Sequence, residues 1–389
     1  MSEQFCPKVD YPVLKGSSEV EYVDTPERLR EFLRAIEDHS VIAVDTEFIR
    51  EKTYYPQLCL VQIAAGNSIW CIDALALDEL SAFYREICNP SRLKVFHAGR
   101  QDLETFYHEA AQIPAPVFDT QIAAALLGRS DQIGYAALVA DFYHIELDKS
   151  SSRTNWAMRP LSDHQLDYAA NDVRYLLGIK NKLNEELLTR DRSAWLEEEC
   201  CRLVEIDLYE SDLANVWRRI KGITKLMEPE QRNIAVALAS WREVKARKRN
   251  LPRGWVLKDD RLVAISQAAP SSTAQLHAVS GLAPSFLRRY GSELLKAIRV
   301  AGKGISVSDE PFSRRLTVAG KALLGDLLKA LSRCAKDNSI SANMITTRRE
   351  LELAICGQLS IRLYEGWRDN LFGKAVRNQI ASTNSKMFD

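Results

Sequence analysis

The sequence predicts an α/β domain built on a mixed sheet, followed by two smaller all-helical domains. Short apolar runs rich in β-forming residues are concentrated in the first half, amphipathic helical patterns surround them, and strand signals fade beyond about residue 200. With 389 residues, of which 46% are hydrophobic and 27% charged, the chain is long enough for two or three folded domains. We assign residues 1–200 to the α/β domain and residues 212–300 and 315–380 to the helical domains.

The expected strands are four apolar runs. They lie at 41–44 (VIAV), 58–63 (LCLVQI), 69–72 (IWCI) and 93–96 (LKVF). The second and third runs are joined by residues 64–67 (AAGN), a turn-forming sequence that indicates a hairpin.

Helical patterns occupy the intervals between these strands. Thr25 is an N-cap candidate followed by Pro26 at the first helical position. Further helices are expected at about 77–88, 101–110, 120–128 and 134–143.

A polar stretch at 145–161 precedes the last helix of the α/β domain. A connection of this length inside a compact domain is often functional. Ser162 and Gln165 then form a capping box, which predicts one long helix over 163–189.

Opposite charges dominate the two halves of the chain, although the formal net charge of the whole chain is +0. Residues 201–389 contain 32 Lys and Arg against 19 Asp and Glu, so this half carries +13 and residues 1–200 carry −13. The basic half suggests a polyanionic partner. The acidic half would repel such a partner unless cations offset its charge, which is the first indication of bound metal.

Neither a membrane segment nor a secretion signal is expected. No apolar run approaches the roughly 18–20 residues that span a bilayer, and the N-terminal residues lack a basic stretch followed by an apolar core. The eight cysteines are scattered without CxxC spacing, which favours reduced thiols over a zinc site or disulfides. We therefore expect a cytoplasmic protein without membrane association.

Two acidic residues, Asp45 and Glu47, close the first expected strand. Residues i and i+2 of a strand point to the same face, so the two carboxylates should emerge side by side. Such pairs most often lie on a solvated surface, but the apolar strand before them and Phe48 after them argue for a position near the core.

Three further polar residues follow in two other segments. Asp102 lies just after the fourth strand in the first turn of a helix, where an acid also favours the positive end of the helix dipole. Tyr168 and Asp172 are four residues apart and share one face of the expected long helix. Four converging carboxylates cannot all ionise without cations, and oxygen ligands suit two Mg²⁺ or Mn²⁺ ions about 3.5–4 Å apart.

The segments that carry these residues resemble the motifs of the ribonuclease D family, in the tyrosine subclass of the DEDD superfamily of 3′→5′ exonucleases. They are VDTEFIREKTYYPQLCLVQIA, VFHAGRQDLE and TNWAMRPLSDHQLDYAANDVRYL, in this order along the chain. The resemblance is strong over about residues 20–190 and looser beyond. It implies an RNase H-like exonuclease fold for the first domain.

The resemblance also implies a role for each site residue. Asp45 would contact both cations, while Glu47 and Asp172 would hold the cation that activates water. Asp102 would support the second cation, partly through water, and the Tyr168 hydroxyl would orient the attacking water.

Three neighbouring residues are weaker candidates for substrate contact. His97 and Arg100 flank the second motif, although a histidine at the end of a strand is more often structural. Arg159 lies in the third motif and would either serve the site electrostatically or lock its loop.

The basic half contains a dense cationic segment, with six basic residues in the thirteen from 241 to 253. Arg242, Lys245 and Arg249 share one helical face there and could neutralise substrate phosphates. Any one of these basic residues, taken alone, more often lies on a solvated helix surface than in a phosphate-binding site.

The same region resembles an HRDC domain over residues 238–266 (LASWREVKARKRNLPRGWVLKDDRLVAIS). A second, divergent HRDC-like domain is expected within 315–380. No G-x-x-x-x-G-K-[ST] motif occurs, which argues against a helicase and against a nucleotide cofactor.

Together these features predict a metal-dependent 3′→5′ exoribonuclease that releases nucleoside monophosphates. The resemblance points to RNA as the partner, and to tRNA precursors with 3′ extensions in particular. Two alternatives stay open: a DNA-directed exonuclease with the same metal chemistry, and a non-catalytic RNA-binding scaffold. The presence of all four acids and Tyr168 speaks against the scaffold.

Overall fold

The computed structural model describes residues 20–148, 154–226, 228–301 and 316–383. The N-terminal residues in which no secretion signal was expected, and part of the polar stretch 145–161, lie outside these ranges. Within them, no helix is both long enough and apolar enough to cross a lipid bilayer.

A six-stranded mixed sheet forms the centre of the first part of the chain. Its strands are β1 (Val20–Val23), β2 (Val41–Ile49), β3 (Gln57–Ala65), β4 (Ser68–Asp73), β5 (Leu93–Phe96) and β6 (Val117–Asp119). They are ordered β1-β4-β3-β2-β5-β6, with β3 antiparallel to both neighbours and the remaining pairs parallel. The expected hairpin is confirmed, since Ala65 pairs with Ser68.

Helices connect the strands and continue after them. They are α1 (Pro26–Ala35), α2 (Ser81–Ile87), α3 (Arg100–Ala110), α4 (Thr120–Leu126), α5 (Tyr135–Tyr143), α6 (Asp163–Arg174), α7 (Leu176–Thr189) and α8 (Ser193–Leu203). The Thr25 cap is confirmed, because its side chain accepts a hydrogen bond from the amide of Arg28. The capping box of Ser162 and Gln165 is also present at the start of α6.

The single long helix expected over 163–189 is wrong, because α6 ends before Tyr175 and α7 begins after it. Two edge strands, β1 and β6, were also not expected. Each has four residues or fewer and pairs with one neighbour, so each gives only a short sequence signal; β5 is as short as β1, and its run LKVF is nevertheless recognised.

The core of this part lies between the sheet and the helices packed on it. Strands β2 to β5 are buried over most of their length, and α6 and α3 both contact β2 and β3. Phe32, Phe106 and Phe118 are fully buried. Burial of each such ring stabilises the fold by about 1.5–3 kcal/mol and fixes the sheet that carries the acidic residues.

The chain forms two compact units that do not follow its linear order. Unit 1 combines Met1–Ile49, Gln57–Glu205 and Arg315–Asp389, and unit 2 combines Arg50–Pro56 with Ile206–Arg314. The three domains expected at 1–200, 212–300 and 315–380 therefore stay a prediction as independently folding domains.

Unit 2 is helical where the structure describes it. Its helices are α9 (Pro229–Arg249), α10 (Arg253–Val256), α11 (Asp259–Ala268), α12 (Thr273–Ala278) and α13 (Pro284–Ala301). Residues 50–56 join it through Tyr54, whose hydroxyl donates to Glu243 at 2.5 Å. The side-chain oxygen of Asn250 accepts from the backbone amides of Tyr54 and Tyr55, both at 3.0 Å.

The C-terminal helices belong to unit 1. They are α14 (Val318–Asp337), α15 (Ala342–Ile345), α16 (Arg348–Ile355), α17 (Gly366–Arg368) and α18 (Lys374–Thr383). Their main polar link to α8 is the buried carboxylate of Glu199, which accepts from the Trp367 indole at 3.1 Å and from Arg362 at 2.5 Å. Arg368 donates to both oxygens of the same carboxylate.

Candidate active site

Asp45 and Glu47 lie on β2 where this strand runs past the end of β5. Strand β5 pairs with Val41–Ala43, whereas β3 follows β2 to Ile49. The two carboxylates share one face of the sheet, as the i, i+2 spacing predicts. Strand β2 continues beyond both acids, and a β-bulge between Glu47 and Phe48 changes its register with β3. The acids therefore occupy a strand segment with an open side.

Tyr168 and Asp172 lie on α6, which packs on β2, β3 and β4. Their i, i+4 spacing places both side chains on one face of the helix. Ala169 and Ala170 between them are fully buried. Because alanine side chains are small, the helix lies close enough to the sheet for Asp172 to reach the β2 acids.

Helix α6 ends where a side chain enters its hydrogen-bond ladder. The Tyr135 hydroxyl of α5 donates to the carbonyl of Asn171 at 3.0 Å and accepts from the amide of Tyr175 at 3.1 Å. These two backbone groups would otherwise bond to each other as an i, i+4 pair. Insertion of a side chain into the ladder is a known cause of helix breaks, and this one lies next to Asp172.

Three acids converge from the two elements. Asp45, Glu47 and Asp172 each offer one carboxylate oxygen, and these oxygens all lie within 4.8 Å of one another. Asp102 stands beside this trio in the first turn of α3, where it is 7% exposed. It accepts a hydrogen bond at 2.5 Å from the hydroxyl of Thr46, the residue between the two β2 acids.

Burial, and then repulsion between neighbouring carboxylates, raises the pKa values of these acids. Burial, followed by repulsion from Asp102 and Asp172, raises the pKa of Asp45 well above its ordinary value. Burial and the same two neighbours raise the pKa of Glu47 to about 9. Burial and then repulsion from Asp102 raise the pKa of Asp172 to about 7, although a hydrogen bond from Tyr168 opposes this shift.

The raised pKa values and the chemical type of the converging ligand atoms show whether divalent cations fit this acidic cluster. Carboxylates that are held together against their own repulsion are stabilised by positive charge at the same place. The converging atoms are all oxygens, the ligands that hard cations such as Mg²⁺ and Mn²⁺ prefer. The residues present therefore fit a divalent metal centre.

The Tyr168 hydroxyl lies at the edge of this acidic cluster. It hydrogen-bonds to Asp172, and its ring lies 6.1 Å from that of Trp156. Burial, followed by repulsion from Asp172 and Glu47, raises the pKa of the phenol. Tyr168 therefore keeps its proton at neutral pH and can donate a hydrogen bond.

His97 and Arg100 lie near the second motif in different surroundings. Burial lowers the pKa of His97, and both ring nitrogens are engaged: Nε2 donates to the Ile133 carbonyl at 3.0 Å and Nδ1 contacts the Thr120 hydroxyl at 2.9 Å. These contacts are structural. Arg100 is exposed at the first position of α3. Substrate contact by either residue stays a prediction.

Arg159 makes the contacts that the loop-locking alternative requires. Its guanidinium pairs with the buried carboxylate of Asp73 at 2.5 and 2.6 Å. It also donates to the carbonyls of Cys59, Trp156 and Met158 at 2.7–2.9 Å. Arg159 thus ties the segment before α6 to β4, while an electrostatic role in the site stays untested.

The three basic residues expected on one helical face each form an ion pair or a hydrogen bond with another residue of unit 2. Arg242 is 6% exposed and pairs with Asp259 at 2.7 Å. Lys245 pairs with Glu293 at 2.8 Å, and Arg249 donates to the Tyr290 hydroxyl. The prediction that they bind substrate is untested, and the burial of Arg242 argues against a direct phosphate contact.

Sequence reasoning missed three residues that support the site: Thr46, Asp73 and Tyr135. Thr46 carried a weak signal, since it lies between two candidate ligands. The roles of Asp73 and Tyr135 depend on partners 86 and 36 residues away, which local spacing does not indicate.

Comparison with protein families finds an exonuclease domain followed by a helical domain, the order that the sequence predicts. Residues 20–188 match a 3′-5′ exonuclease family, and residues 231–298 match the HRDC domain. The first match contains Asp45, Glu47, Asp102, Tyr168 and Asp172, the five residues expected to form the site.

Curated relatives and solved structures extend the likeness to most of the chain. A ribonuclease D of Zymomonas mobilis is 40% identical over 89% of this chain and 89% of the relative, and one of Bartonella henselae is 35% identical over 90% and 87%. The crystal structure of Escherichia coli RNase D, described as an exoribonuclease involved in structured RNA processing, is 31% identical. It matches with a TM-score of 0.81 over 94% of this chain and 99% of that chain. The chain therefore belongs to the ribonuclease D family of 3′→5′ exoribonucleases.

Proposed function

We propose that this enzyme hydrolyses the terminal phosphodiester bond of RNA with two divalent cations, Mg²⁺ or Mn²⁺, and releases nucleoside monophosphates. The observation that carries the proposal is the trio Asp45, Glu47 and Asp172, whose carboxylate oxygens lie within 4.8 Å of one another. When bound, such a pair of cations would lower the pKa of a water molecule and stabilise the leaving oxygen.

The protein side chains then have separate tasks. Asp45 would be a ligand shared by both cations, while Glu47 and Asp172 would hold the cation that activates the attacking water. Asp102, whose carboxylate accepts a hydrogen bond from the Thr46 hydroxyl, would support the second cation. The protonated Tyr168 hydroxyl orients the attacking water and does not act as a free base, since its pKa is raised.

We further propose that the substrates include tRNA precursors with 3′ extensions. Relatives that match over most of this chain are ribonucleases D, and the Escherichia coli enzyme is described as acting in structured RNA processing. A cytoplasmic location agrees with the described cysteines, which all carry free thiols.

The test is the release of mononucleotides from a tRNA with a 3′ extension, measured against Mg²⁺ concentration for wild type and Asp45→Asn. Loss of a metal ligand should cost more than the roughly 10–100-fold that loss of an outer-shell partner costs. Asp38→Asn makes the same chemical change on an exposed residue and should leave the rate unchanged.

The same assay separates the alternatives. An Asp45→Asn enzyme as active as wild type would refute the proposed metal centre. Faster release from single-stranded DNA than from RNA would favour a DNA-directed exonuclease. Binding of RNA by wild type without release at any Mg²⁺ concentration would favour a non-catalytic scaffold.

A further inference from the structure

Gln62 is a fully buried polar residue in the middle of the interior strand β3. Its neighbours on the same face of the strand, Leu60 and Ala64, are apolar and also fully buried. Glutamine is mostly exposed in folded proteins, and burial of an amide without hydrogen bonds costs free energy. Yet neither the nitrogen nor the oxygen of the Gln62 amide has a hydrogen-bond partner among the residues that the structure describes. A buried polar group of this kind calls for a specific role.

The strand register places Gln62 directly beside the candidate metal ligand Asp45. The two residues are paired across the antiparallel strands β2 and β3, and the β-bulge lies beyond this pair, between Glu47 and Phe48. Residues paired in this way point to the same face of the sheet, with Cβ atoms about 4.5–5.5 Å apart. A glutamine side chain is long enough to bring its amide to a carboxylate across this separation.

Helix α6 covers the face of the sheet to which Gln62 belongs. Cys71 of β4 is paired with Gln62 from the side opposite to β2. Cys71 and Leu60 pack in one buried cluster with Ala169 of α6. Gln62 therefore lies beneath the helix that carries Asp172, where it is closed off from solvent.

Asp45 has room for the hydrogen bond that Gln62 can donate. Asp172 accepts a hydrogen bond from the side chain of Tyr168. Asp45 is contacted by the backbone amide of Thr46, but no side chain in the described part of the chain donates to it. Carboxylates that bind a metal are in general oriented by hydrogen bonds from neighbouring groups. An unused donor and a carboxylate without a side-chain donor thus lie next to each other.

We propose that Gln62 is a positioning residue for Asp45, an inference that rests on the proposed metal centre. Its amide N–H donates to the Asp45 carboxylate when this group is ionised beside bound cations, and its carbonyl oxygen accepts from the Cys71 thiol. Burial raises the pKa of Cys71 to about 12, although the charge of Arg174 opposes this shift, so the thiol keeps its proton. The three side chains then form a polar row across β2, β3 and β4 that fixes the orientation of Asp45.

The test is the affinity for Mn²⁺ alone, measured by titration calorimetry on the full-length protein without RNA. Gln62→Met keeps the length of the side chain but removes both polar atoms of the amide. Because loss of an outer-shell partner typically costs 10–100-fold in metal affinity, the Kd for Mn²⁺ should rise by about 10–100-fold. The melting temperature of the metal-free protein should stay the same or rise, because a buried amide without partners is removed.

Ile63→Val is the matched control, because Ile63 is the next residue of β3 and is fully buried on the opposite face. It leaves a small cavity and should lower the melting temperature without changing the Kd for Mn²⁺. Cys71→Ala removes a weak donor and should raise the Kd by a smaller factor than Gln62→Met. Because Cys71 acts through Gln62, Cys71→Ala should add nothing in the Gln62→Met background; a further rise there would exclude Cys71 from the row.

An unchanged Kd in Gln62→Met, with a lowered melting temperature, would show that the amide is only structural and would overturn the proposal. An equal rise of Kd in Ile63→Val would overturn it as well. If Gln62→Met does not fold, Gln62→Asn decides: its amide is one methylene further from Asp45, and the same rise of Kd is expected. A wild type that binds no Mn²⁺ refutes the proposed metal centre itself, whereas equal binding by wild type and Gln62→Met refutes only the role of Gln62.

Discussion

Single acidic residues determine how this active site responds to protons and metal. Glu47 has its pKa raised to about 9 and Asp172 to about 7, in both cases first by burial and then by neighbouring acids. The metal-free folded protein thus holds protons that the unfolded chain releases nearer pH 4. Divalent cations bound at the proposed site would compete with these protons for the same oxygens.

We expect the metal-free protein to lose stability as pH rises. A carboxyl group with a raised folded-state pKa contributes stability that is complete below its unfolded pKa and is lost as pH passes its folded pKa. In a chelator Asp172 and Glu47 together should lower the melting temperature as pH rises to about 7, and Glu47 continues to lower it up to about pH 9. Above about pH 7 the buried Lys94, whose pKa burial lowers to about 7, acts in the opposite direction and offsets part of the Glu47 effect. Because bound cations stabilise the folded state, the melting temperature gained from Mg²⁺ should be larger at pH 9 than at pH 6.

The variant that tests this expectation is Glu47→Gln, because it removes the carboxyl group whose pKa is raised to about 9. The melting temperature of this variant relative to wild type should therefore rise as pH increases from about 5 to 9, and its gain from Mg²⁺ should be smaller. A Mg²⁺ effect of equal size at both pH values in wild type would contradict the prediction.

Residue spacing predicted which acids share a face but not what holds them. The pairs Asp45 and Glu47, and Tyr168 and Asp172, follow from strand and helix periodicity alone. The hydroxyl of Thr46 reaches an acid 56 positions later in the chain, which no local pattern indicates. For the same reason, helical spacing grouped Arg242 with other cations but gave no sign of its partner Asp259.

At the scale of elements, the end of α6 is set by another helix. The Tyr135 hydroxyl of α5 separates the Asn171 carbonyl from the Tyr175 amide. The sequence over 163–189 has continuous helical periodicity, so it predicts one helix; an inserted side chain from outside the helix is invisible to that pattern. The break fixes the backbone immediately after Asp172.

We expect Tyr135→Phe to impair catalysis more than stability. Without the hydroxyl, the Tyr175 amide can bond directly to Asn171, which offsets the two lost hydrogen bonds to within about 1 kcal/mol. The altered turn displaces the Asp172 carboxylate, and a displacement of about 1 Å can cost ~100-fold in rate. The measurements are kcat, the Mg²⁺ concentration at half-maximal rate and the melting temperature.

Tyr143→Phe is the matched control, because it removes a hydroxyl from the same helix α5 but keeps the ring that packs against Tyr175, 5.5 Å away between centroids. The Asn171 carbonyl and the Tyr175 amide bond to the Tyr135 hydroxyl and not to that of Tyr143. Tyr143→Phe should leave the Mg²⁺ requirement unchanged. An equal loss of activity in both variants, or none in Tyr135→Phe, would show that the junction does not position Asp172.

In the whole molecule, the two compact units are not continuous stretches of the sequence. Helices α14 to α18 come last in the chain, yet they belong to unit 1 with the sheet. Helix α17 supplies Trp367 and Arg368 to the buried carboxylate of Glu199, and Arg362 reaches it from a short 3₁₀-helix between α16 and α17. Arg368 and Arg362 keep the pKa of Glu199 below its ordinary value although burial alone would raise it.

We expect the effect of Glu199→Gln to depend on chain length. In the full chain it leaves the buried Arg368 without its carboxylate partner and should cost about 3–5 kcal/mol in the free energy of unfolding. In a chain that ends at Glu205, whose α8 lacks all three partners, the same substitution should cost nothing. Urea unfolding of the four proteins measures both values, with Asp38→Asn as the surface control; equal costs at both lengths would contradict the expectation.

The interleaved units also bear on synthesis of the protein. A ribosome releases the chain from its N-terminus, and domains generally fold as they emerge. Unit 2 has all its residues once position 314 has left the ribosome, whereas unit 1 still lacks the segment from Arg315 onwards. The sheet that bears the candidate metal ligands is translated first, yet it gains the helices that follow Arg315 only after all of unit 2 has been translated.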